Sequence, residues 1–186
     1  MRRDFKVPRM EEVLEHDRKL LFALKQSMGF VPNVYAFMTR SETALKRFMD
    51  FMDVSTVFDR IQTEAIHLVT SQVNQNPYCL AAHTALAKEA GLSDKQIEER
   101  AKGNVTWDEK LDTLVDFTCE LVTNRGKVGP EMIGRFYQAG YTDACLVDLV
   151  MLVGMTTITN YLNNATWIPV DFPEAPVIIC KCDCKK

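Results

Sequence analysis

The chain has 186 residues, of which 47% are hydrophobic and 25% are charged, and its formal net charge is −3. This length suits one well-filled hydrophobic core and is short for two domains. The composition is that of an ordinary globular protein. A weakly acidic chain without a basic run that alternates with aromatic residues argues against nucleic acid, or an anionic membrane, as the main partner.

No apolar run in the sequence is as long as a membrane-spanning helix. The longest covers residues 146–155, is interrupted by Asp148, and is too short to cross a bilayer. Residues 1–8 contain no apolar stretch that could serve as a signal peptide. These features predict a cytoplasmic protein with no membrane partner, whose six cysteines are reduced thiols and not a disulfide framework.

The apolar residues recur at helical spacing almost throughout the chain. Ser41 is the predicted N-cap of one helix, whose apolar residues fall at i, i+3, i+4 and i+7 (Leu45, Phe48, Met49 and Met52). Asp59 and Gln62 have the form of a capping box before the next helix. Gln72 falls on the apolar stripe of that helix, so it needs a hydrogen-bond partner if it is buried.

Three further helix starts follow along the chain. Asn76 and Pro77 predict the first, with asparagine as the N-cap and proline at the first helical position. Gly91 ends that helix, and Ser93 is the N-cap of the one after it. Thr106 is the predicted start of another helix.

Residues 145–165 form a predicted helix that is apolar on nearly all sides at first, which indicates a central or interface position. Evidence for strands is thin, because only residues 177–179 are β-branched in a row. We therefore predict an all-α fold.

Cys79 is the third residue of the helix that begins at Pro77, and His83 follows it by one turn, so the two share a face. Unpaired backbone N–H groups and the positive end of the helix dipole favour a thiolate at that position. We predict that Cys79 is a reactive thiol and that His83 is its base or proton carrier. The alternative is a packed cysteine beside a histidine bonded to a backbone carbonyl.

Glu64 lies on the preceding helix, and its distance from His83 decides whether the two side chains can be in contact. In a simple antiparallel hairpin it lies about 18 Å before Asn76 along the axis, and His83 lies about 10 Å after Asn76. Direct contact between Glu64 and His83 therefore needs a crossing angle, an axial shift or a bridging water. His67, three residues after Glu64, is expected to face solvent instead of pairing with it.

The segment from Glu64 to His83 resembles the alkylhydroperoxidase D-like group of the carboxymuconolactone decarboxylase family. That group carries a glutamate, eleven residues, a Cys-x-x-Cys pair, three residues and a histidine. Glu64, Cys79 and His83 match this pattern, whereas Asn76 stands where the first cysteine of the pair would be. Residues 29–33, Asn160 and Asn163 also look like this family. The resemblance implies a single-domain bundle of about eight helices over residues 1–172, followed by a cysteine-rich tail over residues 173–186.

The resemblance also implies an activity. The expected protein is a homo-oligomer, a trimer or hexamer, that reduces a peroxide through a Cys79 sulfenic acid. A Glu64–water–His83 relay moves protons, Asn76, Tyr78 and His67 support the site, and an external thiol is the reductant. No cofactor or metal is expected, since the sequence has no phosphate-binding glycine loop and no histidine cluster. The alternatives are an acid–base enzyme that uses His83 and Glu64 on a lactone, or a non-catalytic helical protein.

Asn76 changes this chemistry because it removes the neighbouring thiol that would resolve a sulfenic acid. Three outcomes stay open: resolution by an external thiol, resolution by another cysteine of this chain or a partner chain, or no peroxidase activity. The tail thiols could act as internal donors or bind a soft metal, but no fourth ligand such as histidine is nearby. We prefer a partly oxidisable terminus (Cys180, Cys182 and Cys184), and structural roles for Cys119 and Cys145.

Overall fold

A computed structural model describes residues 5–53 and 55–175. These residues form nine α-helices and one short 3₁₀-helix and contain no strand, which confirms the predicted all-α fold. The 3₁₀-helix covers Met10–Glu12. The α-helices are α1 (Glu15–Met28), α2 (Asn33–Met38), α3 (Ala44–Met52), α4 (Arg60–Val73), α5 (Pro77–Glu89), α6 (Asp94–Ala101), α7 (Glu109–Thr123), α8 (Pro130–Gln138) and α9 (Asp143–Thr166).

The chain divides into two compact units. The first contains the residues up to 55 together with residues 161–171, and the second contains residues 56–160 and resumes at residue 172. The boundary between residues 160 and 161 falls within α9. The predicted limits of 1–172 for the domain and 173–186 for the tail stay predictions. Residues 176–186, which include residues 177–179 and the three tail cysteines, lie outside the described residues.

The first unit is built from α1, α2 and α3, with α3 packed against the other two. Its buried apolar side chains include Leu21 of α1 and Leu45 of α3, both fully buried. The prediction that Ser41 caps α3 is wrong, because the N-cap is Thr43. The backbone N–H of Ser41 instead donates to the carbonyl of Met38, so Ser41 belongs to the turn that closes α2.

The second unit has α4 at its centre, where α4 packs against both α5 and α7. Aromatic rings fill much of the core. The ring of Phe136 lies between those of Phe117 and Tyr141, with centroid separations of 4.3 and 4.6 Å. Burial of large apolar side chains of this kind supplies most of the stabilisation of a helical domain, because an isolated helix is marginal in water.

The helix starts in the second unit follow the predicted capping chemistry with one exception. The capping box of Asp59 and Gln62 forms at α4, and Ser93 forms another at α6. The predicted start at Thr106 is wrong, since the N-cap of α7 is Asp108, whose side chain accepts from the backbone N–H of Leu111. The Thr106 hydroxyl donates elsewhere, to a glutamate of α6.

Gln72 is buried on α4, as its position on the apolar stripe predicted. Its side chain finds the partners that burial requires. Nε2 donates to the carbonyl of Ala101 at 3.1 Å, and Oε1 accepts from Nη1 of the buried Arg100 at 3.0 Å. This network joins α4 to α6 through the interior of the unit.

Helix α9 has two faces of different character within the second unit. Leu149 and Leu152 belong to the hydrophobic core. On the opposite side Val147, Met151 and Ile158 are exposed, Val147 at 61%. By length and composition α9 would also suffice to cross a membrane. The burial of Leu149 and Leu152 and the exposure of Val147, Met151 and Ile158 show that one face of α9 is packed and the other presents apolar side chains outward.

The cysteines in the described part of the chain are in different states. Cys79 and Cys145 are free thiols. Cys119 on α7 is disulfide-bonded, so the expectation of six reduced thiols is wrong at this position.

Candidate active site

The turn between α4 and α5 fixes the start of the helix that carries the predicted thiol. Gln75 adopts a left-handed conformation, with φ of 51°, between Asn74 and Asn76. Asn76 is fully buried, and its Oδ1 accepts from the backbone N–H of Cys79 at 2.7 Å, which confirms it as the N-cap. Its Nδ2 donates to the carbonyl of Asn160 at 3.0 Å. One side chain therefore caps α5 and ties it to α9.

Cys79 lies at the third helical position, as predicted, but its thiol is only 3% exposed. Its Sγ donates to Oγ1 of Thr159 at 3.5 Å. Burial raises the pKa of the thiol, while hydrogen bonding with the side chains of Thr159 and Asn160 acts in the opposite direction. The predicted lowering of the pKa is therefore wrong, because desolvation of the charged form outweighs the helix N-terminus. The resting thiol is protonated.

Glu64 and His83 form a direct hydrogen bond between α4 and α5. Oε2 of Glu64 lies 2.9 Å from Nδ1 of His83, and the histidine side chain is 19% exposed. An ionised carboxylate only accepts hydrogen bonds, so Nδ1–H of His83 donates, and in a neutral ring Nε2 is then the nitrogen that bears the lone pair. The packing of α4 on α5 thus makes the bridging water of the expected relay unnecessary between these two residues.

His67 does not face solvent, and that prediction is wrong. It is 6% exposed, and its Nδ1 lies 2.6 Å from Oγ1 of Thr156 on α9. The Thr156 hydroxyl donates to the carbonyl of Leu152, so its oxygen accepts from Nδ1–H of His67. His67 lies at the side of the apolar stripe of α4, and it is buried because α9 packs against that side.

The two imidazole rings stack, with the centroids of His67 and His83 separated by 4.4 Å. Burial, and then the neighbouring His83, lower the pKa of His67 well below its usual value. His67 is therefore a neutral ring that orients His83 without competing for its proton.

Thiol and imidazole lie on one helix, yet their hydrogen bonds lead in different directions. The partners of the Cys79 sulfur are on α9, whereas the partner of His83 is on α4. The structure thus brings Glu64, His67 and His83 into one cluster and leaves Cys79 one helical turn away. Within residues 5–53 and 55–175, no three histidine, cysteine or acidic side chains are placed to hold a metal ion.

Tyr78, predicted to support the site, is almost fully buried. Its ring meets that of Phe172 edge to face, with the centroids 5.8 Å apart. Its contribution is to pack the first turn of α5, next to the thiol.

Sequence reasoning missed the residues of α9 that contact the site. Thr156, Thr159 and Asn160 are buried polar side chains at i, i+3 and i+4 on an otherwise apolar helix. That spacing was the available signal, since a polar stripe on an apolar helix needs partners when it is buried.

Asn76→Ala should destabilise the protein more than loss of an exposed cap. The variant loses the bond to the Cys79 N–H and leaves the buried carbonyl of Asn160 without this donor, an expected loss of about 2–4 kcal/mol. Ser93→Ala is the matched control, since Ser93 is an exposed N-cap, and should cost about 1 kcal/mol. Urea unfolding of both variants measures the difference, and equal losses would contradict the tie between α5 and α9.

Acid should destabilise the protein through His67. The unfolded state binds a proton near the ordinary histidine pKa, whereas the folded state does not, so stability is lost as pH falls below about 6.5. The expected loss attributable to His67 is roughly 1 kcal/mol per pH unit. Unfolding free energies at pH 7.5 and 5.5 should differ less in His67→Gln than in the wild type.

Residues 32–109, which include Glu64, Cys79 and His83, match the model of the carboxymuconolactone decarboxylase family. No curated protein matches the chain in sequence.

Three solved structures share the fold. An alkylhydroperoxidase AhpD core, an uncharacterized peroxidase-related protein from Ralstonia eutropha JMP134, has a TM-score of 0.81 and 18% identity over 90% of this chain and 91% of that one. An uncharacterized peroxidase-related protein from Silicibacter sp. TM1040 has a TM-score of 0.76 and 20% identity over 89% of each chain. A cysteine-to-alanine variant of the debrominase Bmp8, in complex with 2,3,4-tribromopyrrole, has a TM-score of 0.73 and 14% identity over 84% and 86%.

Identities this low establish the fold alone, while the family model covers the segment that holds the acidic residue, the thiol and the imidazole. Over residues 32–109 the chain is therefore similar to the carboxymuconolactone decarboxylase family, and its all-helical architecture is the fold of these solved structures.

Proposed function

We propose that this protein is a thiol-dependent oxidoreductase that reduces hydroperoxides at Cys79, with Glu64 and His83 moving the proton. The observation that carries the proposal is the 2.9 Å hydrogen bond between Glu64 and His83. It fixes the tautomer of His83 and leaves Nε2 as a proton acceptor one helical turn from the thiol. The likeness in fold to two peroxidase-related proteins supports the choice of substrate class.

The first half-reaction uses the proton that the resting thiol carries. Nε2 of His83 takes that proton as the hydroperoxide enters between ring and sulfur. The sulfur then attacks the terminal peroxide oxygen, an S–O bond forms, and the O–O bond breaks. His83 returns the proton to the departing alkoxide, so the products are a Cys79 sulfenic acid and an alcohol. The sulfur is oxidised and the peroxide is reduced.

Glu64 and His67 keep His83 in the form that this step needs. The Glu64 carboxylate stabilises the imidazolium that exists between the two proton transfers. The neutral ring of His67 stacks on His83 and restricts its rotation. Since His67 stays neutral, it adds no repulsive charge beside the imidazolium.

The second half-reaction requires a reductant, because Asn76 occupies the position of a neighbouring resolving thiol. We assign this role to an external low-molecular-weight or protein thiol. Its sulfur attacks the sulfenic sulfur and water leaves, and a second thiol then reduces the mixed disulfide. We expect the protein to act in the cytoplasm, where such thiols are abundant.

A second candidate is an acid–base enzyme of the decarboxylase type, acting on a lactone without thiol redox chemistry. One observation favours it. The Glu64–His83 pair is complete without Cys79, whose thiol is protonated and bonded to α9. In this candidate Nε2 of His83 removes a proton from carbon next to a carbonyl, and Cys79 is a packed side chain.

Peroxide treatment should distinguish the two candidates. Sulfenic acid trapped with dimedone should map to Cys79 in the wild type, and peptide mass spectrometry locates the adduct. Because burial raises the thiol pKa, the labelling rate should rise with pH through and beyond the ordinary thiol value of about 8.5. His83→Gln should slow labelling about 100-fold, the low end for general acid–base catalysis.

Matched variants sharpen this test. Cys145→Ser, at the other free thiol among residues 5–53 and 55–175, should leave the Cys79 adduct unchanged, whereas Glu64→Gln should slow its formation. Glu89→Gln, at an exposed glutamate of α5, should have no effect. A protein without a Cys79 adduct, whose lactone turnover survives Cys79→Ser and is lost in His83→Gln, would establish the acid–base candidate instead.

We also propose that the protein is a homo-oligomer, a trimer or hexamer, that associates through the outward face of α9. The exposed apolar residues of that face support this (Val147, Val150, Met151 and Ile158). Contiguous apolar surface on a helix is stabilised when a second apolar surface covers it.

Sedimentation equilibrium of the wild type should give the mass of three or six chains. Met151→Glu places a charge on the α9 face and should lower that mass. Phe22→Glu is the control, because Phe22 is an exposed apolar residue of α1 at 57% exposure, and it should leave the mass unchanged. A monomeric wild type would contradict the proposal.

A further inference from the structure

The polar residues on the inner face of α9 are a feature that the proposed proton relay does not use. Thr156, Thr159 and Asn160 are buried within the second unit. Burial of hydroxyl and amide groups is unfavourable unless each group is hydrogen-bonded. Thr156 is accounted for by His67, which leaves Thr159 and Asn160 as the two side chains that meet the Cys79 sulfur.

Thr159 has one hydroxyl proton, which can be donated either to the carbonyl of Thr156 or to the Cys79 sulfur. At rest that proton is donated to the carbonyl of Thr156 at 2.9 Å, and the oxygen accepts from the Cys79 thiol at 3.5 Å. When the thiol loses its proton, rotation about the Cβ–Oγ1 bond directs the hydroxyl proton to the sulfur. The residue can therefore serve both states of Cys79 without movement of the backbone.

Asn160 presents a fixed donor to the same atom. Its Oδ1 accepts from Nδ2 of Asn74 at 2.9 Å, and its Nδ2 donates to Oγ of Ser71 at 3.2 Å. Those bonds orient the amide so that the second N–H of Nδ2 is the group available to the sulfur. That hydrogen bond acts to lower the thiol pKa, as a donor to the charged form must.

We infer that Thr159 and Asn160 together form a thiolate-stabilising pocket on α9, which receives the Cys79 sulfur once its proton has left. This inference rests on the proposed function, in which Cys79 is the reacting thiol. The donors that support the negative sulfur then come from α9, and His83 is free to carry the proton to the leaving oxygen.

Other charged groups do not obscure this role. The ionisable side chains that face the site from α4 and α5 are Glu64, His67 and His83, and His67 stays neutral. Between residues 149 and 160, α9 has no ionisable side chain, so its donors act equally at every pH. A change made at Thr159 therefore alters the thiol without altering another titration.

The test is the pH dependence of Cys79 alkylation by iodoacetamide in the full-length protein, followed by mass spectrometry of the peptide that contains Cys79. Thr159→Val removes the hydroxyl and keeps the shape. In this variant the midpoint of the Cys79 alkylation rate against pH should rise by about one pH unit, which means a tenfold smaller thiolate fraction at a given pH. Thr159→Ser retains the donor and should keep the wild-type midpoint.

Thr157→Val is the control, because the Thr157 hydroxyl bonds the carbonyl of Val153 on the same helix and does not contact the sulfur. Its midpoint should match that of the wild type. Thr159→Ala provides a second donor-free variant should Thr159→Val fail to fold. An unchanged midpoint in the folded donor-free variant, or an equal shift in Thr157→Val, would overturn the inference.

The alkylation test is independent of peroxide chemistry. If the midpoint shifts in Thr159→Val but peroxide forms no Cys79 sulfenic acid in the wild type, the pocket stands and the proposed function fails. If sulfenic acid forms at Cys79 and the midpoint does not shift, the proposed function stands and the pocket fails.

Discussion

The buried amide of Asn76 positions most of what the site contains. Through Oδ1 it satisfies the Cys79 N–H and so fixes where α5 begins, and through Nδ2 it holds the carbonyl of Asn160. A cap that also cross-links two helices sets the distance between the thiol on α5 and its donors on α9. A cysteine at this position would offer a second thiol but weaker hydrogen bonds, so the asparagine exchanges a redox partner for a firmer scaffold.

The arrangement separates two functions that a single thiol–imidazole pair would combine. In the proposed mechanism Glu64, His67 and His83 form the proton-transfer cluster, at the contact between α4 and α5. Cys79 instead meets neutral donors on α9. In the proposed mechanism His83 takes the thiol proton and returns it to the leaving oxygen, while the sulfur keeps its own hydrogen-bond partner on α9. The attacking sulfur and the leaving oxygen of the hydroperoxide would therefore be served by different side chains, Thr159 for the sulfur and His83 for the oxygen.

Local sequence signals predicted the helices and the capping of α4, α5 and α6, because those features depend on residues three or four apart. The same signals placed Glu64 on α4, and Cys79 and His83 one turn apart on α5. They failed for His67 and for the pKa of Cys79, since both side chains contact residues of α9, which lie 89 and 80 positions later in the chain. Ser41 and Thr106 failed as caps because their groups bond to turns or to another helix.

Helix α9 links the surface of the second unit to its interior. The side chains of Val147 and Ile158 are exposed, while the Thr159 hydroxyl oxygen lies 3.5 Å from the Cys79 sulfur, and a helix with its side chains is only about 10 Å across. Because the helix is this narrow and its backbone is rigid, a sideways displacement of its outer face also moves the side chains on its inner face. A partner surface that displaced α9 would therefore also change the distance between Thr159 and the Cys79 sulfur.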